Sequence, residues 1–343
     1  MLIQPSQFKG DESLLYGKLG SIDQPPMGLA MVAGALLARG FEVDILDIDA
    51  QKASLEDVLK IIDERKTKMV GLSVTTPVFK NALRLCEQIK ARRPDVKTCL
   101  GGYHASMEPM ECLEPQEIDF VVKGEGELTI VELACAVQEG ATRDKLARID
   151  GLFFKDQGAK VANPRRELIA DLDTLPMPAR HLLPNQNYTY PDTRYNPVFP
   201  VFTSRGCPGK CAFCQQYHVT GRKLRLRSAS KVADEIEHLI KVYRAREIHI
   251  WDDMFSSNPK HVFGLRDELK KRGIKIPICF AAGIRVDTAT PEILQAMREM
   301  CGYSVAFGVE SGSQQILDKC SKGITLEQAR DAVRNAKQAG LET

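Results

Sequence analysis

Apolar residues in the first part of the chain form short runs that alternate with longer, amphipathic stretches. Short apolar runs are typical of buried strands, and apolar positions spaced three and four apart are typical of helices. The pattern predicts strands at 1–4, 41–48, 69–74, 96–100 and 120–122. It predicts helices at 25–39, 54–62, 80–91 and 128–137. Regular alternation of strand and helix favours a parallel sheet with helices on both faces.

The stretch from 143 to 198 lacks this alternation. Apolar residues at 151–154 and 159–161 flank the sequence Asp-Gln-Gly at 156–158, which predicts a β-hairpin. Prolines then recur up to Pro200, as is typical of an extended connection. We therefore expect a first domain at 1–142, a hairpin and proline-rich linker at 143–198, and a second domain at 199–343.

The alternation returns after the linker. Strands are predicted at 198–202, 247–251, 276–282 and 303–309. Helices are predicted at 228–243, 259–271, 291–300 and 326–339. Four strand–helix units with polar residues at the strand ends are typical of half a (β/α) barrel, in which function lies at the carboxyl ends of the strands. A fifth strand is expected to begin at Gly340, so we expect either a fragment of a longer protein or an open barrel.

Composition narrows the class of protein. The 343 residues are 43% hydrophobic and 27% charged, as in ordinary globular proteins. A net charge of +2, without a long basic tract that contains interleaved aromatic residues, argues against a nucleic-acid partner. Ten cysteines in a chain of this length do not indicate a disulfide scaffold and favour a reducing, cytoplasmic setting. The apolar run at 28–38 is too short to span a membrane, and residues 1–6 lack the pattern of a signal peptide.

Three cysteines stand close together in the sequence Ser-Arg-Gly-Cys-Pro-Gly-Lys-Cys-Ala-Phe-Cys at 204–214. Cys207, Cys211 and Cys214 are too few to close a tetrahedral structural metal site. Three thiolates can hold three irons of a [4Fe–4S] cluster and leave the fourth iron open. A zinc knuckle and three unrelated core cysteines are the alternatives.

At these residues the chain resembles the radical S-adenosylmethionine (SAM) superfamily, whose signature is C-x3-C-x-aromatic-C, with Phe213 in the aromatic position. The resemblance implies that SAM chelates the open iron and that residues at the barrel rim bind the rest of SAM. It implies that Glu310 reaches the ribose or the methionine amine, with Ser311 beside it, and that Arg285 pairs either with the carboxylate or with the surroundings of the sulfonium. Asp252 follows the second barrel strand, where it is expected either to contact SAM or to cap the next turn.

The first domain carries small or polar residues where its predicted strands end. In a parallel sheet ligands bind beyond the carboxyl ends of the strands. The sequences Pro-Pro-x-Gly-Leu, Gly-Gly-x-His and Lys-Gly-Glu-Gly-Glu resemble those of the cobalamin-binding domain that precedes many radical SAM barrels. The resemblance implies a cobalamin site formed by the following residues: Ser73, Thr75, Gly101, Gly102, His104, Gly124 and Glu125. A nucleotide-binding or flavodoxin-like domain is the alternative, although no G-x-G-x-x-G follows the first strand.

One departure from the family is visible. Cobalamin domains that supply a histidine to the cobalt carry D-x-H-x-x-G after the first strand, whereas residues 5–10 here contain no histidine. We therefore expect no cobalt ligand from this position, and we expect His104 to be a wall or turn residue more readily than a metal ligand. The implied fold is α/β: a doubly wound, Rossmann-like parallel sheet of the cobalamin-binding type, followed by a partial (β/α) radical SAM barrel.

The resemblance implies an enzyme with three cofactors: a [4Fe–4S] cluster, SAM and cobalamin. The expected reaction begins with reductive cleavage of SAM to a 5′-deoxyadenosyl radical. It then leads to methylation of an unactivated carbon in a small molecule or lipid. An external electron donor of the flavodoxin or ferredoxin type is implied. Oxidative cyclisation or rearrangement, and a non-catalytic cobalamin or iron–sulfur binding module, are the alternatives.

Overall fold

The computed structural model describes residues 1–7, 24–190 and 193–343. Within these residues the chain forms two compact units. The first comprises Met1–Ile169 and Leu175–Tyr190, and the second comprises Ala170–Thr174 and Pro191–Thr343.

The first unit is built on a seven-stranded sheet. Its strands are β1 (Leu2–Gln4), β2 (Ile45–Asp47), β3 (Met69–Ser73), β4 (Lys97–Gly101), β5 (Phe120–Val122), β6 (Leu152–Asp156) and β7 (Ala159–Ala162). Its helices are α1 (Met27–Ala38), α2 (Leu55–Glu64), α3 (Phe79–Arg92), α4 (Tyr103–Met107), α5 (Pro109–Cys112), α6 (Gly126–Gln138) and α7 (Arg143–Leu146). The strands lie in the order β2-β1-β3-β4-β5-β6-β7, and β1 to β5 are parallel.

The doubly wound sheet predicted from the alternation is confirmed. The central strands β3 and β4 are buried, and α1 packs against α6 while α2 packs against α3. The strand predicted at 41–48 is only three residues long because Phe41 still donates its backbone N–H to Leu36 at the end of α1. The carboxyl ends of β3, β4 and β5 therefore meet at one edge of the sheet.

The hairpin expected in the linker is part of the first sheet. Strand β6 pairs antiparallel with β5, with Phe154 opposite Phe120, and β7 pairs with β6. Residues Leu175–Tyr190, in the proline-rich stretch that follows, also belong to the first unit. A side chain at Gly34 of α1 would lie 2.5 Å from the carbonyl oxygen of Met177, and Ala179 donates its N–H to Ala30 at 2.8 Å. These backbone contacts join residues distant in sequence, so composition alone could not indicate them.

The second unit is built on a four-stranded parallel sheet. The unit contains the strands β8 (Val198–Val201), β9 (Ser204–Arg205), β10 (Arg225–Leu226), β11 (Glu247–Ile250), β12 (Ile278–Ile284) and β13 (Gly302–Phe307). Four of these, β8, β11, β12 and β13, form the parallel sheet. Its helices are α8 (Ala229–Tyr243), α9 (Pro259–Lys271), α10 (Pro291–Glu299), α11 (Gln314–Lys319) and α12 (Leu326–Gln338). The order β8-β11-β12-β13 follows the chain, as in a partial (β/α) barrel, and β9 and β10 form a separate antiparallel ribbon.

The barrel prediction is confirmed in its main elements. Beyond α12, Glu342 forms a parallel bridge with Ser304 of β13, where the sequence predicts another unit to begin. Helix α11 was not predicted, because six residues give too few apolar positions for a helical period. Among the described residues no helix is both long enough and apolar enough to cross a lipid bilayer.

Candidate functional site

The three cysteines lie on the loop between β9 and β10. These two short strands pair through Ser204 with Leu226 and Arg205 with Arg225, and so bring the two ends of the loop together. Gly206 begins the loop with φ +91°, and a side chain there would collide with the carbonyl oxygen of Lys223. Glycine is therefore required where the strand turns into the loop.

The three thiols are half-buried, and those of Cys207 and Cys211 both lie close to Gly209. A Cβ atom at Gly209 would lie 3.2 Å from Cys207 Sγ and 3.9 Å from Cys211 Sγ, and the Gly209 N–H donates to Cys207 Sγ at 3.4 Å. Burial raises the pKa of the Cys207 thiol. Within the described ranges no three His, Cys, Asp or Glu side chains converge as the ligands of a single metal ion do. A [4Fe–4S] cluster differs from a single metal ion, because each thiolate binds a separate iron. The loop supplies three thiols, one for each of three irons.

Polar side chains hold the loop. Asp253 accepts hydrogen bonds from the Gly206 N–H at 3.0 Å and the Thr220 hydroxyl at 2.9 Å, and burial raises its pKa. Arg222 donates to the Gly209 carbonyl and lies 4.3 Å from the ring centroid of Tyr217. The basic stretch that begins at Arg222 thus supplies a side chain that contacts the cysteine loop, which the sequence alone did not indicate.

The Asp252 carboxylate binds the segment that precedes the cysteine loop. Its carboxylate is 3% exposed and accepts from the Thr203 N–H at 2.5 Å, the Thr203 hydroxyl at 2.5 Å and the Ser204 hydroxyl at 2.7 Å. His261 Nε2 lies 2.7 Å from the same Thr203 hydroxyl oxygen. Burial raises the pKa of Asp252 to about 6 and lowers the pKa of His261 to about 4. Asp252 therefore anchors the segment before the cysteine loop, and its expected roles toward SAM or the following turn stay predictions.

Arg285 is already engaged by the protein. It forms a bidentate pair with Asp287 at 2.9 and 2.8 Å, and it donates to the carbonyl oxygens of Lys322 at 2.7 Å and Gly323 at 3.2 Å. The hydrogen bond with Asp287 raises the pKa of the guanidinium. Most of its donors are thus used within the chain, so the predicted pairing with the SAM carboxylate has little support from this geometry.

Glu310 follows β13 with a left-handed backbone, φ +70°. Its Oε1 lies 2.8 Å from Lys322 Nζ, and the same ammonium lies 5.8 Å from the ring centroid of Phe213, which is half-exposed in the cysteine loop. Ser311 accepts a hydrogen bond through its hydroxyl from the Ser313 N–H at 3.1 Å. Phe213 and Glu310 are therefore brought together through Lys322, a residue that the sequence analysis missed.

The predicted cobalamin residues of the first unit meet at the ends of β3, β4 and β5. Ser73 is opposite Gly101 across the sheet, and the Gly101 carbonyl accepts from the Val74 N–H at 2.8 Å. Ser106, which the sequence did not single out, donates to the Gly102 carbonyl at 2.8 Å and accepts from the Gly124 N–H at 3.0 Å. Ser106 thereby joins the two glycine-containing loops.

His104 is the distinctive side chain of this region. It is 5% exposed, its ring centroid lies 4.4 Å from that of Phe79, and its Nδ1 lies 3.3 Å from the Thr76 hydroxyl oxygen. Its Nε2 is buried and has no hydrogen-bond partner among the described residues. A buried polar atom without a partner is costly and calls for an explanation such as a bound molecule. The residues present therefore fit a cofactor beyond these strand ends, and His104 would be one of its contacts.

The other two residues of the predicted cobalamin site, Thr75 and Glu125, differ in their exposure. Thr75 is exposed at the same edge, where its carbonyl accepts from the Val78 N–H at 3.1 Å. Glu125 is 7% exposed and its carboxylate accepts from the Ile169 N–H at 2.9 Å, so it binds the chain itself. The stretch at 5–10, which lacks the cobalt-binding histidine, lies partly outside the described residues.

Comparison with known proteins matches two different family models to the two halves of the chain. The B12 binding domain model matches residues 20–134 and the radical SAM superfamily model matches residues 201–343. An uncharacterised methyltransferase of Pyrococcus horikoshii is 35% identical over 92% of this chain and 67% of its own length. Cytidylyl-2-hydroxyethylphosphonate methyltransferase of Streptomyces wedmorensis is 28% identical, with 92% and 67% covered. Anaerobic magnesium-protoporphyrin IX monomethyl ester cyclase of Rubrivivax gelatinosus is 31% identical, with 93% and 58% covered.

Solved structures share the fold. The radical SAM methyltransferase TsrM of Kitasatospora setae, with tryptophan and a SAM analogue bound, superposes with a TM-score of 0.79 at 20% identity. The match covers 99% of this chain and 65% of that one. The cobalamin-dependent SAM radical enzyme OxsB, with aqua-cobalamin and SAM bound, gives 0.80 at 19% identity, with 99% and 48% covered. The chain thus spans about half to two thirds of the proteins it matches.

This chain belongs to the family of radical SAM enzymes that carry a cobalamin-binding domain. The family resemblance drawn from the sequence is confirmed. So are its three cofactors: a [4Fe–4S] cluster, SAM and cobalamin.

Proposed function

We propose that this chain forms the catalytic part of a C-methyltransferase that acts on an unactivated carbon of a small molecule or lipid. When bound, the reduced cluster and SAM supply the radical chemistry and cobalamin supplies methyl transfer. The observation that carries the proposal is the presence, in one chain, of both kinds of site: a loop of three thiols beside the Glu310–Lys322 pair, and glycine-bounded strand ends beside the unpartnered nitrogen of His104.

Cys207, Cys211 and Cys214 would hold the cluster, and other side chains of the protein hold the loop around them. Asp253 ties the start of the loop to Thr220 near its end, and Arg222 holds the carbonyl of Gly209 between the first two cysteines. Such preorganisation keeps reacting groups in place and limits the entry of water. Glu310 would contact the ribose or the amine of SAM, and Phe213 would cover the cluster.

At the other site Ser73, Gly101, Gly102 and Gly124 would let a large, flat cofactor approach the backbone. His104 would donate or accept one hydrogen bond through Nε2. The names of the relatives support methylation as the outcome, because several are methyltransferases, among them hopanoid C-3 methylase of Methylococcus capsulatus at 24% identity. Reduction of the cluster would come from an external flavodoxin or ferredoxin.

The test begins with the chain purified and reconstituted without oxygen. We expect roughly four irons per chain, one cobalamin, and cleavage of SAM once reductant is added. The Cys211→Ala variant removes one cluster ligand, whereas Cys301→Ala removes a half-buried thiol outside the loop. Loss of SAM cleavage in the first variant alone is expected. A wild-type protein that takes up iron and cobalamin but cleaves no SAM would overturn the proposal and favour a non-catalytic binding module.

Oxidative cyclisation is the second candidate. It is favoured by the 31% identity with the anaerobic magnesium-protoporphyrin cyclase of Rubrivivax gelatinosus. The mass of the product separates the two outcomes. Methylation adds one methylene unit per turnover, whereas oxidative cyclisation removes hydrogens or adds oxygen.

A further inference from the structure

The segment 320–323 contacts two other parts of the second unit at once. The carbonyl of Cys320 accepts from the Ala212 N–H in the cysteine loop at 2.9 Å. The carbonyls of Lys322 and Gly323 accept from the guanidinium of Arg285 at 2.7 and 3.2 Å. The segment is therefore held to the cluster loop on one side and to the end of β12 on the other.

Lys322 carries this segment's only ion pair within the described chain. Its side chain is 8% exposed, and the one carboxylate within ion-pair distance is that of Glu310, at 2.8 Å. A nearly buried ammonium is stable only beside a counter-charge. The Lys322 ammonium therefore keeps the Glu310 carboxylate close to it. The backbone of Lys322 is fixed as well, because its N–H donates to Leu317 of α11 at 2.9 Å.

The absence of a side chain at Gly308 leaves room for this pair. A Cβ atom at Gly308 would lie 3.0 Å from Glu310 Oε1 and 3.1 Å from Lys322 Nζ. The left-handed backbone of Glu310 is a conformation that non-glycine residues adopt only when their surroundings hold them there. Glu310 keeps 40% of its side chain exposed, so a ligand can still reach the carboxylate from the solvent side.

We infer that Lys322 is a positioning residue for SAM: its ammonium holds the Glu310 carboxylate in place, and Arg285 holds the backbone of Lys322. This inference rests on the proposed function, because it assumes that Glu310 contacts SAM. It gives Arg285 a different role from the one expected from the sequence, since its guanidinium secures the lysine segment instead of the SAM carboxylate.

The experiment measures SAM binding to the full chain loaded with iron–sulfur cluster, by equilibrium dialysis. We expect Lys322→Met to weaken SAM binding about tenfold, which corresponds to about 1.4 kcal/mol. Lys319→Met is the matched control, because it removes an exposed lysine from the same stretch of chain. Lys322→Arg, which restores a cation, should recover most of the lost affinity. Iron content should be the same in all variants.

A double-mutant cycle tests whether Lys322 acts through Glu310. If it does, Lys322→Met combined with Glu310→Gln should bind SAM no more weakly than Glu310→Gln alone. The change that SAM produces in the electron paramagnetic resonance spectrum of the reduced cluster should weaken in parallel in Lys322→Met and Glu310→Gln. A general loss of structure would not give this matched pattern together with rescue by arginine.

The outcomes separate this inference from the proposed function. Equal SAM affinity in wild type, Lys322→Met and Lys319→Met would overturn the inference alone. Additive losses in the double variant would also overturn it, because Lys322 would then act independently of Glu310. A wild-type protein that holds the cluster but binds no SAM would overturn the proposed function, and this inference with it.

Discussion

The candidate site of the second unit is rich in charge, whereas that of the first unit consists mainly of backbone and small side chains. Around the cysteine loop Asp253, Arg285 and Lys322 are each bound to other parts of the protein. At the ends of β3 to β5 the corresponding positions are glycines and serines, together with the buried His104, whose Nε2 has no hydrogen-bond partner among the described residues.

This difference follows from what each site must hold. A cluster and a charged sulfonium ligand need fixed thiolates and fixed charges, and such groups are stable only when other side chains hold them. A large, flat cofactor needs space beside the backbone, which glycine provides. Substitutions should therefore damage the two sites in different ways and independently of each other.

The largest effect is expected from Gly206→Ala at the start of the cysteine loop. The added methyl group would collide with the Lys223 carbonyl at a backbone angle that favours glycine. We expect most of the bound iron and all SAM cleavage to be lost, with cobalamin binding unchanged. Gly312→Ala is the control, because no atom lies within 4 Å of the added group. Normal iron content in Gly206→Ala would contradict the role given to this turn.

The complementary change is Gly102→Ala in the first unit. Its φ is +95°, and the added Cβ would lie 2.9 Å from the Val74 carbonyl oxygen and 3.0 Å from Ser73 Oγ. We expect cobalamin binding to fall at least tenfold while iron content stays at the wild-type level. Gly264→Ala in α9, where the added group meets no atom within 4 Å, serves as the control. Loss of iron together with cobalamin would show that the two sites are not independent.

A third test concerns the buried pair that shares the Thr203 hydroxyl. The pKa of Asp252 is raised from 3.8 to about 6, so between these values the native carboxyl keeps a proton that the unfolded chain has released. Its contribution to stability therefore falls as pH rises. The pKa of His261 is lowered from 6.5 to about 4, so the native ring lacks a proton that the unfolded chain holds. Its contribution to stability therefore rises with pH, so the two residues change the free energy of unfolding in opposite directions as pH rises.

Substituting one residue at a time should reveal how the other residue makes the free energy of unfolding depend on pH. We expect Asp252→Asn to leave a free energy of unfolding that rises between about pH 4 and 6, and His261→Gln to leave one that falls. Each slope is at most about 1.4 kcal/mol per pH unit. Urea unfolding of the apoprotein at several pH values measures both. An identical pH dependence in wild type and both variants would count against the opposing shifts.

The smallest effect is expected at His104. Replacing it with alanine removes the buried Nε2, and a single neutral hydrogen bond is worth about 0.5–1.5 kcal/mol, so cobalamin affinity should fall about threefold to tenfold. Thr76→Val removes the partner of Nδ1 and leaves Nε2 in place, and it should have a weaker effect. Titration of cobalamin followed by visible absorbance measures both. A wild-type affinity in His104→Ala would mean that the nitrogen does not contact the cofactor.

Much of the fold could be predicted because its signals are local. The predicted helix over 259–271 has the same bounds as α9, with Asn258 as its N-cap and Pro259 at its first position. The strand at 120–122 coincides with β5. The hairpin after Gly151 was also predicted, but its place in the first sheet was not. That place depends on pairing with β5, about thirty residues away in the sequence.

The sequence by itself determined the family and the three thiols, because C-x3-C-x2-C spacing and strand–helix alternation are set by neighbouring residues. Only the tertiary structure decided what the charged residues do. Asp252 meets Thr203 49 positions away, and Arg285 meets Lys322 37 positions away. Such contacts depend on which strand ends lie side by side, and no local pattern in the chain encodes them. The same physical reason explains why Lys322 and the buried nitrogen of His104 became visible only in the folded protein.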